Sequence, residues 1–263
     1  MVLFSESYQS VAAQRKLGLF LATMLVASSM VGSGIFLLPA TLAGIGSVTT
    51  LAWVLATIGA LIIARVLGRL SCHRPLAGGP CTYAAHALGR AMGFQATAIY
   101  WLALWTGNIA IALAAIGYLA SLFPFLARTL PLALGSIACI WILSAVNLLG
   151  PRRVCQIESA SLFVGLIPVL LVGIAGWWWF HPAIFTAGWN QSGEPVGWAL
   201  AHSLAPTFWA FAGVESASIA TALIRDPERN VARATYWGVM LAAAVYLAAC
   251  TAMMGMIPAP VLA

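Results

Sequence analysis

Charge is what this chain has least of. Only 7% of its 263 residues are Asp, Glu, Lys or Arg, against roughly 25% in a soluble domain. A surface with so few ionised groups is not a water-facing one. Acids number six, and Lys16 is the sole lysine, so no Schiff base can form in a seventh span and a rhodopsin-like receptor is excluded. No stretch shows the ten-residue alternation of a membrane barrel strand. HExxH, GxSxG and paired acids are missing from the apolar runs, which argues against an enzyme. The five cysteines, Cys72, Cys81, Cys139, Cys155 and Cys250, include no pair at zinc-ligand spacing with histidine and read as small apolar residues. No metal or cofactor is implied.

Apolar length is what the chain has instead, with 62% hydrophobic residues. A helical span needs about 20 of them in a row. Seven runs qualify: Leu17 to Leu38, Val48 to Leu67, Phe94 to Phe123, Pro131 to Leu149, Val154 to Phe180, Val196 to Ile224 and Thr235 to Ile257. The pattern predicts an all-α polytopic membrane protein in a single transmembrane domain over residues 1–263. Of the twelve Lys and Arg, only Arg128 falls in a loop on the far side, while Arg15, Lys16, Arg65, Arg69, Arg74, Arg90, Arg152, Arg153, Arg225, Arg229 and Arg233 share the other. The positive-inside rule therefore places the N-terminus in the cytoplasm. The net charge of +6 reports topology rather than nucleic-acid binding.

Two of the runs carry residues that a lipid-embedded helix tolerates poorly. Residues 28 to 40 read SSMVGSGIFLLPA, and an interior glycine costs roughly 0.5 to 1 kcal/mol relative to alanine. At 1.5 Å per residue, Gly32 lies about 24 Å from Lys16, near the bilayer middle. Irregular backbone persists there only where it is buried in protein or lines a wet cavity. In the sixth run Glu215 follows Gly213 and sits about 15 Å from Arg225, again at mid-membrane, where a carboxylate is a functional candidate by default. Two interrupted helices of opposite direction are the pattern of an inverted-repeat transporter with its substrate between the breaks. A break at Gly32 to Gly34 would free amides for an anionic group and, near Met30, carbonyls for an ammonium.

GSGIFLLPA in the first run, AGGPCTYA after the second, YWLALWTGNIA in the third, WAFAGVESAS followed by RDPERNV in the sixth, and GMIP at the end resemble the basic amino acid/polyamine antiporters of the APC superfamily. The likeness holds in register over essentially all 263 residues. It implies a LeuT-like inverted-repeat fold, with residues 17–180 as the first five-helix repeat and 196–257 as spans six and seven of the second. That family has twelve spans, so the resemblance also implies a transporter fold truncated after the seventh helix. It further implies that Ser33 and Gly34 hold a substrate carboxylate with Gly32 beside them in the substrate site, and that Met30, with the backbone near Trp209 and Ala212, faces the ammonium. Ala103, Leu104, Asn108 and Ile111 would line the side-chain pocket, Trp209 would cover the aliphatic stem, and Tyr100 and Glu215 would form an outer gate. Ser29 stands where relatives usually carry asparagine. YWLALW and GMIP favour cofactor-free exchange of external arginine for internal agmatine over the lysine/cadaverine or ornithine/putrescine pairs. The implied setting is a bacterial inner membrane, with a role in acid resistance and room for pairing as a homodimer. A non-transporting fragment that assembles with other chains is the alternative.

Overall fold

In the computed structural model, residues 16–73, 78–149 and 151–262 are described. The first predicted run forms two helices, α1 (Leu19–Met30) and α2 (Ser33–Ala43). They are followed by α3 (Thr49–His73), α4 (Gly79–Leu88), α5 (Arg90–Leu122), α6 (Thr129–Asn147) and α7 (Pro151–Ala175). After the short α8 (Pro182–Ala187), the sixth run divides into α9 (Val196–Trp209) and the single turn α10 (Ser216–Ile219). Helix α11 (Pro227–Met256) and the short α12 (Ala259–Leu262) complete the chain. Among the described residues there is no strand, only an isolated parallel bridge between Leu17 and Ile224. Arg15 and Arg74, two of the charges used for orientation, lie outside the described residues.

Among the described residues four helices, α3, α5, α6 and α11, are long and apolar enough to cross a membrane, and α1 with α2 makes a fifth span bent by 42°. The sixth run passes no such test in one piece, because its helix stops at Trp209. Helix α4 was not anticipated by the apolar pattern, being too short for a span. Its signal is the GGP of AGGPCTYA: Gly78 (φ 104°) and Gly79 (φ 57°) take left-handed backbone, and Pro80 starts the helix. A Cβ on Gly93 would come within 2.3 Å of Ala85, so α5 doubles back tightly along α4.

Helix α11 is the core of the bundle. Val231, Ala234, Thr235, Val239, Ala242 and Tyr246 are fully buried on it, against α3 and α1. The contact is made by small residues at four-residue spacing, which stack on one helix face: Ala52, Ala56, Ala60, Ala64 and Gly68 of α3 are all buried. Between membrane helices, where lipid is as apolar as leucine, such ridges allow the close approach that van der Waals packing needs. Gly238 extends this close approach to α1, since a Cβ there would lie 2.6 Å from Val26. By contrast α5 and α6 keep most of their apolar surface exposed.

The two broken spans are also tied at one end. Leu17 N–H donates to the Leu223 carbonyl at 2.8 Å, and Arg225 N–H donates to the Leu17 carbonyl at 2.9 Å. That clip holds the start of span one beside the end of span six.

Gly238→Ala is expected to lower stability by about 1 to 3 kcal/mol through overpacking against Val26. Gly107→Ala, on α5 with nothing within 4 Å of a new Cβ, should be neutral or gain up to about 1 kcal/mol from helix propensity. Thermal unfolding in detergent of the two variants checks the opposite signs.

Candidate functional site

The first break falls slightly before the expected one. Helix α1 ends at Met30, Val31 (φ −75°, ψ 81°) and Gly32 (φ −128°, ψ −135°) leave helical geometry, and α2 starts at Ser33. Ser33 and Gly34 thus occupy the first turn of a half-helix, whose amides have no intrahelical acceptor. The side chain of Ser33 lies outside the described residues. Gly32 is exposed, with nothing within 4 Å of a would-be Cβ, so close helix packing does not account for this glycine. Ser28 and Ser29 both donate their hydroxyls back to the Leu25 carbonyl, at 3.0 and 2.7 Å. Ser29 therefore satisfies itself within its own helix.

The second break spans Ala210 to Glu215 as a chain of tight turns. Phe211 N–H donates to Phe208, Ala212 N–H to Trp209 and Val214 N–H to Phe211, all three residues back. Here glycine is required: Gly213 has φ 108°, and a Cβ on it would strike the Ser29 carbonyl oxygen at 2.8 Å. The break in span six is thereby pressed onto the last turn before the break in span one. A Cβ on Gly34 would sit 3.6 Å from that of Ala210, so α2 meets the same segment from the other side of its own break.

Glu215 is held at both carboxylate oxygens. Oε1 accepts from the Tyr100 hydroxyl at 2.9 Å, and Oε2 accepts from the Gly213 amide at 3.2 Å. The first bond joins spans three and six; the second stiffens the turn. From Tyr100 the stripe Leu104, Asn108 and Ile111 continues along one face of α5 at helical spacing. These three and Ala103 remain exposed, and so do Ala212 and Trp209, the latter at 41%. The structure brings Tyr100, Glu215 and the two breaks together, and leaves Ala103, Leu104, Asn108 and Ile111 on an open flank.

One expected contact is altered. The Met30 carbonyl, expected to face an ammonium, already accepts from Gly32 N–H at 2.8 Å and from the Tyr246 hydroxyl at 2.6 Å, and Met30 is buried. A carbonyl has two lone pairs, and both are in use. The same hydroxyl lies 3.0 Å from the Ala210 carbonyl. Sequence reasoning missed Tyr246; its one signal is a hydroxyl-bearing ring at the midpoint of span seven, well away from the Tyr236 near its start.

A cavity of about 250 Å³ lies at the first break, where irregular backbone in a membrane is expected to line one. It opens beside Ser28, Gly32, Ile35 and Phe36 and is closed by Ser161 and Gly165 of α7. It lies against the first break on the side of span five, away from Trp209.

A family model described as amino acid permease matches residues 17–263. The chain is 41% identical over 252 residues to the cadaverine/lysine antiporter of Escherichia coli (strain K12), covering 96% of this chain and 56% of that protein. It is 34% identical over 249 residues to the putrescine transporter PotE of the same strain, covering 95% of this chain and 57% of PotE. PotE of Haemophilus influenzae is 32% identical over 247 residues, covering 94% of this chain and 57% of that protein. The chain thus spans little more than half the length of these curated relatives.

Removing one partner of the Tyr100–Glu215 bond leaves the other polar group at a partly buried position. A double-mutant cycle of Tyr100→Phe and Glu215→Gln, read by thermal or chemical unfolding in detergent, is expected to give a coupling of about 1 kcal/mol or more. Additive losses would mean that the contact contributes nothing to the bundle.

Proposed function

The chain belongs to the amino acid permease family, and from that premise we propose that it exchanges a basic amino acid for the amine its decarboxylation leaves. The observation that supports this best is the apposition of two helix breaks, Gly213 against Ser29 and Gly34 against Ala210. At the start of α2 the free amides and positive helix end suit a carboxylate. At the ends of α1 and α9 the Met30 and Ala210 carbonyls, which share the Tyr246 hydroxyl, are the acceptors an ammonium would take. The exposed indole of Trp209 offers a face for an aliphatic stem or a cation, an attraction of about 0.5 to 2 kcal/mol. An amino acid and its amine share the cationic groups and differ in the carboxylate, so such a site accepts both and distinguishes them at Ser33 and Gly34.

Lysine and cadaverine are the proposed pair, since the relative at 41% identity is a cadaverine/lysine antiporter. Arginine and agmatine are the second reading, favoured by YWLALW, GMIP and the stacking surface of Trp209. In either case the proposed setting is a bacterial inner membrane with the N-terminus on the cytoplasmic side, and Tyr100 with Glu215 forms the outer gate.

The test is uptake of labelled lysine or arginine into proteoliposomes loaded with cadaverine or agmatine. The 263-residue chain is reconstituted alone, and also together with the remaining length of the E. coli antiporter. Uptake of lysine that requires internal cadaverine is expected in the combined sample, with arginine/agmatine exchange slower. Preference for arginine would select the second reading, and no amine-dependent uptake of either would contradict both.

Trp209→Leu should weaken substrate binding about five-fold or more, equal to roughly 1 kcal/mol, when measured by calorimetry. An unchanged affinity would make Trp209 a packing residue.

A further inference from the structure

Tyr246 sits where neither the exchange chemistry nor the family's motifs direct attention. It is fully buried in the middle of α11, yet its hydroxyl oxygen reaches the Met30 carbonyl at the end of α1 and the Ala210 carbonyl at the end of α9. These are the peptide groups at which the two helices give way to the breaks. The ring is clamped, stacked on Trp53 with centroids 4.8 Å apart and meeting Phe211 edge-on at 5.6 Å. Trp53 Nε1, buried and without a hydrogen-bond partner among the described residues, takes neither carbonyl. The oxygen is therefore fixed, and only its proton is free to turn.

A phenol donates one proton, and both neighbours are acceptors only. The hydroxyl can satisfy Met30 or Ala210 fully, not both. At 2.6 Å the Met30 carbonyl holds the proton, and Ala210, at 3.0 Å, has the weaker share. We infer that Tyr246 is a positioning residue of the amine end of the site: it pins the two helix breaks to one oxygen, and it hands its proton from Met30 to Ala210 when a substrate ammonium takes the Met30 carbonyl. The pin is a property of the chain itself. The handover rests on the proposed amine exchange.

The sequence makes both carbonyls addressable. Ala–Phe occurs once, at Ala210–Phe211, and Met–Val only at residues 1–2 and 30–31. Labelling alanine or methionine at the carbonyl carbon, and phenylalanine or valine at nitrogen, therefore isolates the two peptide groups by NMR. In the empty chain Tyr246→Phe, which keeps the ring stacked, is expected to move both carbonyl resonances toward weaker hydrogen bonding. Unmoved resonances would overturn the pin. If the variant fails to fold, ring-fluorinated tyrosine in the intact chain serves instead; it strengthens the donor and must shift the same two signals the other way.

Saturating lysine should strengthen the bond at Ala210 in the wild type and leave Ala210 unchanged in Tyr246→Phe. Equal responses in both proteins would overturn the handover. A lysine titration that moves no resonance at all contradicts the exchange reading, while the substitution in the empty chain still decides the pin.

Discussion

A peptide group without a hydrogen-bond partner costs several kcal/mol in hydrocarbon, and that penalty governs this bundle. Two spans are interrupted, so amides at the start of α2 and carbonyls at the ends of α1 and α9 lose their helical partners. The chain meets the cost by pressing one interruption against the other and by inserting a third helix behind both. Tight turns satisfy Phe211, Ala212 and Val214, the Glu215 carboxylate takes the Gly213 amide, and Tyr246 covers Met30 and Ala210. What stays unpaired by helix geometry is the first turn of α2, which faces a cavity and an open flank.

Close approach makes this arrangement feasible. The alanine ridge of α3 and Gly238 of α11 draw the helices near enough for a buried tyrosine in span seven to touch spans one and six together. A bulky residue at Gly213 would separate the breaks directly, because that backbone is left-handed and lies on Ser29. The same constraint thus selects small residues in the core and glycine at one position of the loop, for two different reasons.

Hydropathy and charge are local properties, so the helical character of the chain, the spans formed by α3, α5, α6, α11 and the bent α1–α2 pair, and the special status of residues 30–34 and 213–215 were legible in the chain. The exact break was not: the glycines suggested residues 32 to 34, whereas the helix ends at Met30, and Gly32 is explained neither by φ nor by crowding. Tyr246 was invisible for a physical reason. A tyrosine in an apolar run carries no pattern of its own, and its role arises only when residues 36 and 216 positions away in sequence fold against it. Helix α4 was lost because length, the main span signal, excludes it. The substrate pair was the least legible of all, since one methylene-rich cation differs from another by contacts that the motifs do not encode. The motifs favoured arginine/agmatine, and the antiporter at 41% identity is one for cadaverine and lysine.

The apposed breaks are proposed to form one binding site for a charged amino acid, its carboxylate at the start of α2. The most direct measurement is a solid-state NMR distance between the carboxylate carbon of bound ¹³C-lysine and the amide nitrogen of Gly34. Hydrogen-bonding proximity is expected there. A carboxylate carbon of bound lysine far from Gly34 would contradict it.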